Sequence, residues 1–154
     1  MKIVIIHGQS HKGSTYHIAH MLAEKISSDI KEFFLPKDFG EFCVGCTKCF
    51  TESETKCPHY EKLKPLTDAM DEANVIILAS PVYVFHVTGA MKAFLDHYGY
   101  RWMVHSPEES MFKKQGVCIS TAAGAGMKST NKVMIDSLFF WGVAKRYKYG
   151  VGIA

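Results

Sequence analysis

No stretch of this 154-residue chain is apolar for long enough to cross a membrane. Its longest aliphatic runs, Ile3 to Ile6 and Val75 to Ala79, fall far short of the ~20 residues a helical span needs. A secretory leader is not expected either, because Gly8 and polar residues interrupt the first apolar run at once. There is no internal repeat, low-complexity tract or linker, and no excess of one charge. A formal net charge of +3 is too mild to imply nucleic acid or a lipid surface. The basic segments Lys113-Lys114 and Lys145-Arg146 read as solvated faces. No His-x3-His pair is backed by a carboxylate, and His17 and His20 read as surface residues on one helix turn. No cysteine is followed six residues later by arginine, which excludes a phosphatase-type loop. What remains is one cytoplasmic domain, 1-154, long enough to bury roughly 70% of its unfolded surface without disulfide staples.

Against these absences stand five cysteines, four of them between Cys43 and Cys57. A reduced compartment disfavours disulfides, so a metal, cluster or redox role is the better expectation for the crowd. Cys118 lies apart in an apolar run and reads as core.

Short β-branched runs alternate with helical periodicity along the rest of the chain. Strands are expected at Lys2 to His7, Ile30 to Leu35, Val75 to Ser80, Gly116 to Thr121 and Val143 to Ile153. Between them, apolar residues recur at helical spacing: Ile18, Met21, Leu22 and Ile26; Leu63, Leu66, Met70 and Ala73; Met91, Phe94, Leu95 and Tyr98; Met134, Leu138 and Trp141. Pro65 is tolerable in a first turn, and Gly99 is placed to end the third helix. Such alternation predicts an α/β three-layer sandwich, flavodoxin-like, with a parallel sheet in the order 2-1-3-4-5. Its ligand crevice lies where strands one and three part. The sequence stops at the end of the fifth strand, so the last covering helix is expected to be absent; either the chain is shortened or another subunit covers that face.

The loop after strand one reads Gly8-Gln9-Ser10-His11-Lys12-Gly13-Ser14-Thr15 and imitates a nucleotide triphosphate loop. Ser14 stands where such a loop needs lysine, which weakens a kinase or ATPase reading. Helix amides and hydroxyls can still hold a monophosphate, unless Ser and Thr serve only as a helix cap. After strand three comes Ser80-Pro81-Val82-Tyr83-Val84-Phe85-His86, oddly apolar for a loop and suited to cover a flat ring. After strand four come small residues, Ser120-Thr121-Ala122-Ala123-Gly124-Ala125-Gly126, which let a ligand approach the backbone. Together the three loops are a far stronger signal than any one.

The segments Gly8 to Thr15, Ser80 to Asp96 (SPVYVFHVTGAMKAFLD) and Ser120 to Gly126, with the cysteine run from Cys43 to Phe50, resemble the NADPH-dependent FMN reductase and iron–sulfur flavoprotein family. The resemblance spans nearly the whole chain. It implies FMN as cofactor, with the phosphate at Ser10, Lys12, Gly13, Ser14 and Thr15. It implies Pro81, Val82, Tyr83, Val84 and Phe85 along the isoalloxazine, and Thr121, Ala122, Ala123 and Gly124 at its polar edge. It further implies NAD(P)H as electron donor, a quinone, flavin, iron centre or other small-molecule or protein acceptor, and a homodimer or homotetramer. No catalytic side chain stands out, since the flavin does the chemistry. Two departures are visible: His97 stands where relatives often carry arginine, and His7 replaces a small residue.

Cys43, Cys46, Cys49 and Cys57, spaced C-x2-C-x2-C-x7-C, suit a [4Fe–4S] cluster. Zinc and free thiols remain rival readings. At the level of function the alternatives are a reductase, an electron carrier that docks to a redox partner, and a binding domain with an empty flavin site.

Overall fold

The computed structural model describes residues 1–153. Five strands, β1 (Lys2–His7), β2 (Asp29–Phe34), β3 (Val75–Pro81), β4 (Gln115–Ala122) and β5 (Lys145–Gly152), form one sheet. All neighbours are parallel, in the order β2-β1-β3-β4-β5. Between them run α1 (Ser14–Ile26), the short α2 (Lys48–Thr51), α3 (Tyr60–Glu72), α4 (Gly89–Asp96) and α5 (Met127–Trp141). The flavodoxin-like order expected from the alternation is therefore the observed one. Parallel strands need crossover helices, and those helices must cover the faces they cross.

The two faces are covered unequally. On one, α3, α4 and α5 bury Leu66, Met70, Met91, Phe94, Met134, Leu138 and Trp141 against Val4, Ile6, Ile76, Leu78 and Cys118. On the other, α1 alone packs Ala19 and Ala23 over Ile3, Ile5, Ile77 and Ala79. Tyr147 and Tyr149, paired with Val117 and Ile119 on that second face, remain about half exposed. Cys118 is fully buried, as its apolar run implies, and burial pushes its thiol pKa upward.

Several local expectations are corrected. Helix α3 begins at Tyr60, before its apolar stripe, so Pro65 lies in the second turn rather than the first. Its missing N–H leaves the Glu61 carbonyl without the usual donor four residues on. Gly99 does not terminate α4. The helix ends at Asp96 with His97 as cap, and Gly99 opens a 3₁₀ turn. The C-terminus of α5 does end on a glycine: Gly142 has φ 96°, its amide bonds back to Phe139, and the Val143 amide bonds to Leu138. That is a Schellman-type stop, and a side chain there would also strike the Phe112 ring.

Lys114 is not a solvated lysine. It is buried, and its ammonium donates to the carbonyls of Asp71 and Ala73, which end α3. Helix-terminal carbonyls lack intrahelical donors, and a lysine satisfies them. His20 is likewise drawn off the open surface, with its ring held between Glu24 and Glu32, while His17 stays exposed.

Candidate functional site

The carboxyl ends of β1, β3 and β4 converge where the strand order reverses. The Gly8 amide donates to Ala79, and the Val82 amide to Thr121, so the three loops leave the sheet already tied together. The Thr88 hydroxyl donates to the Gly8 carbonyl at 2.6 Å and accepts from the Met91 amide, which caps α4. Tyr83 donates its phenol to Gln9 Oε1 at 2.5 Å across the mouth. Neither Gln9 nor Thr88 is visible as a site residue from spacing alone.

The first of these loops ends in a helix whose cap has no side chain. Gly13 is the N-cap of α1, and no side chain bonds to the first-turn amides. Ser14 and Thr15 are the first two helical residues, so neither acts as a plain cap. Bare amides at the positive end of a 13-residue helix are the elements of an anion site. Ser14 is exposed beside them. The other predicted phosphate residues are engaged elsewhere. Thr15 is buried and shares a 2.7 Å hydroxyl–hydroxyl bond with Thr121, a residue expected at the flavin edge. Ser10 donates to the Leu35 carbonyl, and Lys12 lies over the rings of Tyr16 and Phe34 at 5.2 and 5.6 Å.

His7 ends β1 buried, stacked on Phe34 at 4.6 Å, and 2.9 Å from Glu32 Oε1. Burial depresses its pKa against the opposing pull of Glu32. The same carboxylate oxygen meets His20, whose pKa is raised by that hydrogen bond.

The second loop is a two-residue turn. Tyr83 and His86 exchange both backbone hydrogen bonds, and Val84 and Phe85 between them have φ 49° and 66°. Left-handed backbone suits glycine or asparagine, and a β-branched valine there carries strain of about 1 to 3 kcal/mol. The turn nonetheless thrusts two apolar side chains into solvent, Val84 at 90% and Phe85 at 65% exposure. Pro81 and Val82 sit lower and half-buried. From the third loop Gly126, at φ 106°, comes so close that a side chain there would meet Val82 and the Phe85 backbone. Ser129 secures this approach by donating to the Phe85 carbonyl. Ala123 and Gly124 stay exposed on the same rim.

A second cluster lies at the far end of α4. Cys43, Cys46, Cys49 and Cys57 line a single, largely apolar pocket with His59, Asp96 and His97. Burial and the neighbouring thiols push the Cys49 pKa upward. Cys43 and Cys46 are exposed, and Thr47 and Gly45 adopt left-handed backbone that bends the run around the pocket. Behind it, His97 donates from Nδ1 to the Ala93 carbonyl at 2.7 Å, and its Nε2 is 3.0 Å from His59 Nδ1. Burial holds the His97 imidazole below its ordinary pKa, so it is neutral at physiological pH. Phe39 packs edge-on against it at 4.8 Å. His97 was visible only as a departure from the expected arginine, and His59 was missed, although Cys57-Pro58-His59 is a compact donor pair.

Fold and crevice together define a flavodoxin-like α/β architecture with its ligand crevice at the point where the strand order reverses. The chain belongs to the NADPH-dependent FMN reductase family, which it matches over residues 1–150. An iron–sulfur flavoprotein of Archaeoglobus fulgidus is 31% identical over 114 residues, covering 73% of this chain and 49% of that protein. A second from the same organism is 27% identical over 99 residues, covering 62% of this chain and 48% of its own length. The chain thus spans about half the length of the curated relatives it matches. In fold it is similar to an NAD(P)H:quinone oxidoreductase from Methanothermobacter marburgensis, with TM-score 0.74 and 14% identity, covering 99% of this chain and 83% of that one. It is also similar to an FMN-dependent NADH-azoreductase from Bacillus anthracis solved in complex with FMN, with TM-score 0.70 and 13% identity, covering 99% and 88%. No helix among the described residues is long and apolar enough to cross a membrane.

Proposed function

We propose that the chain is an FMN-dependent oxidoreductase that takes electrons from NAD(P)H and passes them to a quinone, flavin, iron centre or similar acceptor. It would act as one cytoplasmic domain, 1-154, within a homodimer or homotetramer. The observation that carries this reading is the pairing, across one crevice, of uncapped α1 amides with a strained apolar turn at Tyr83 to Phe85. Such a pairing suits a ligand that is anionic at one end and flat and apolar at the other. Ser14 and the first-turn amides would bind the phosphate, with Ser10, Lys12, Gly13 and Thr15 shaping the loop. Pro81, Val82, Tyr83, Val84 and Phe85 would hold the ring, and Thr121, Ala122, Ala123 and Gly124 its polar edge. When bound, FMN supplies hydride acceptance and release. The protein's share is to orient the ring, exclude water from one face, and leave the other open to a nicotinamide at van der Waals distance.

The donor set of Cys43, Cys46, Cys49 and Cys57 around one apolar pocket fits a [4Fe–4S] cluster, in keeping with relatives named iron–sulfur flavoproteins. A cluster would release singly the electrons that a flavin receives in pairs. An electron carrier is the rival reading, and the same mixing experiment separates the two. Anaerobic protein loaded with FMN is mixed with NADPH or NADH in single turnover, without any added protein. Bleaching of the flavin bands is the expected result. Failure of both nucleotides where dithionite reduces the flavin would establish a carrier, and no FMN uptake at all would overturn the site.

A further inference from the structure

The cysteine pocket contains nitrogen donors that a four-thiolate cluster does not use. Cys57 Sγ and one ring nitrogen each from His59 and His97 all lie within 4.8 Å of one another. We propose that Cys57, His59 and His97 form a mononuclear site for a divalent transition metal, zinc by its chemistry, with water in the fourth position. One pocket would then have two alternative metal states, zinc on the Cys57 side or a cluster across all four thiols. The proposal does not depend on whether the cluster forms.

The His97 donor is already oriented. The Ala93 carbonyl takes the Nδ1 proton of His97, which leaves the Nε2 lone pair facing His59. His59 Nε2 lies 3.8 Å from a Glu41 carboxylate oxygen, longer than a hydrogen bond but close enough for a small ring movement to give the outer-shell partner that metal-ligating imidazoles usually have. Lys62 pairs with the other Glu41 oxygen at 2.6 Å and fixes that carboxylate. Cys57 Sγ accepts the His59 amide at 3.4 Å, which fixes the sulfur beside the ring. Phe39 packs edge-on against both imidazoles. The pocket also lies at the C-terminal end of α4, where the helix dipole favours a cation.

The spacing suits zinc. Bonds of about 2.0 to 2.3 Å in a tetrahedron place donors about 3.3 to 3.6 Å apart. The two histidine nitrogens stand at 3.0 Å, so a small opening of the pair admits the ion between them. On binding, the Cys57 proton passes to solvent and the Zn–S bond replaces the S–H bond. His59 shifts its ring proton from Nδ1 to Nε2, toward Glu41, and no electron moves. Neutral imidazoles and thiolate are donors zinc accepts readily.

The test uses the full chain stripped of metal, with Zn(II) alone as probe. X-ray absorption at the zinc edge should find two nitrogens and one sulfur from the protein, a readout independent of any substitution. Three or four sulfurs would overturn the site. Affinity is then measured by competition with a chromophoric chelator. Loss of a mere outer-shell partner lowers metal affinity by about 10- to 100-fold, so His59→Ala, His97→Ala and Cys57→Ser should each lower it at least tenfold. FMN retention and circular dichroism report folding in each variant. The Cys43→Ser/Cys46→Ser double variant should keep wild-type zinc affinity, and loss of zinc there would refute the proposal. Reconstitution with iron and sulfide runs the other way, because a cluster needs Cys43 and Cys46 but not His97. Failure of the wild type to take up iron and sulfide would defeat the cluster reading and leave the zinc site standing.

Discussion

The two ends of α4 are built on opposite principles. At its N-terminus, Thr88 joins Gly8 and Ser80 in buried hydrogen bonds that knit the ends of β1 and β3 to the helix. At its C-terminus, His97 faces a cysteine run whose short helix α2 buries no residue at all. The eight residues of α4 at 1.5 Å each span about 12 Å along the axis, so one short element links the regions. The crevice is organised by the sheet before any ligand arrives. The cysteine pocket has a formed back wall of Phe39, His59 and His97 and an exposed front of Cys43 and Cys46. In physical terms, preorganisation favours a large organic cofactor, whereas an exposed thiol run acquires its rigidity from the ion it binds.

Ser14→Ala should show the largest effect on the crevice side of this contrast. A hydrogen bond to a charged group contributes ~1.5 to 3 kcal/mol, so FMN affinity should fall by roughly ten- to 150-fold. Riboflavin, lacking the phosphate, should bind wild type and variant alike. Equal FMN affinities on titration would remove the α1 N-terminus as the phosphate site.

A smaller effect separates the regions by stability. Thr15→Ala leaves the Thr121 hydroxyl buried without its partner, at a cost of about 1 to 3 kcal/mol. Cys46→Ser, on an exposed residue, should stay within about 0.5 kcal/mol in metal-free protein. Urea midpoints of the two variants measure the difference directly. Equal midpoints would mean that the crevice is no more rigidly framed than the cysteine loop.

The smallest effect is one of pH. Burial lowers the folded-state pKa of His7 below its ordinary value, so in the window beneath that value the unfolded chain binds more protons than the folded one. Stability is therefore full above the unfolded pKa and falls as pH drops through the window toward the folded pKa. His97 contributes in the same direction at the other end of α4. His7→Gln should flatten part of the decline between neutral and mildly acidic pH, as read from urea midpoints at several pH values. An unchanged slope would show that His7 binds protons alike in the folded and unfolded states, with no folded-state depression.

The five strands, the four longer helices, the parallel order and the three crevice loops were legible in the chain, because period, glycine and proline act over a few neighbouring residues; the short α2 in the cysteine segment, expected to be loop, was not. Helix boundaries were legible only where a local signal coincided with packing. Gly142 stops α5 because left-handed backbone and the Schellman bonds agree there, while Gly99 lies past a stop already made at Asp96. Lys114 looked like half of a solvated basic pair until the fold set the carbonyl end of α3 beside it. Thr15 and Thr121 stand 106 residues apart, and both carry plausible ligand contacts until the sheet brings their hydroxyls together. His59 and His97 belong to different elements 38 residues apart, and nothing local marks them as neighbours. Local chemistry thus determined what each segment of this protein is. The sheet order decided which polar groups satisfy one another and which are left facing a ligand, because that depends on contacts between residues distant in the chain.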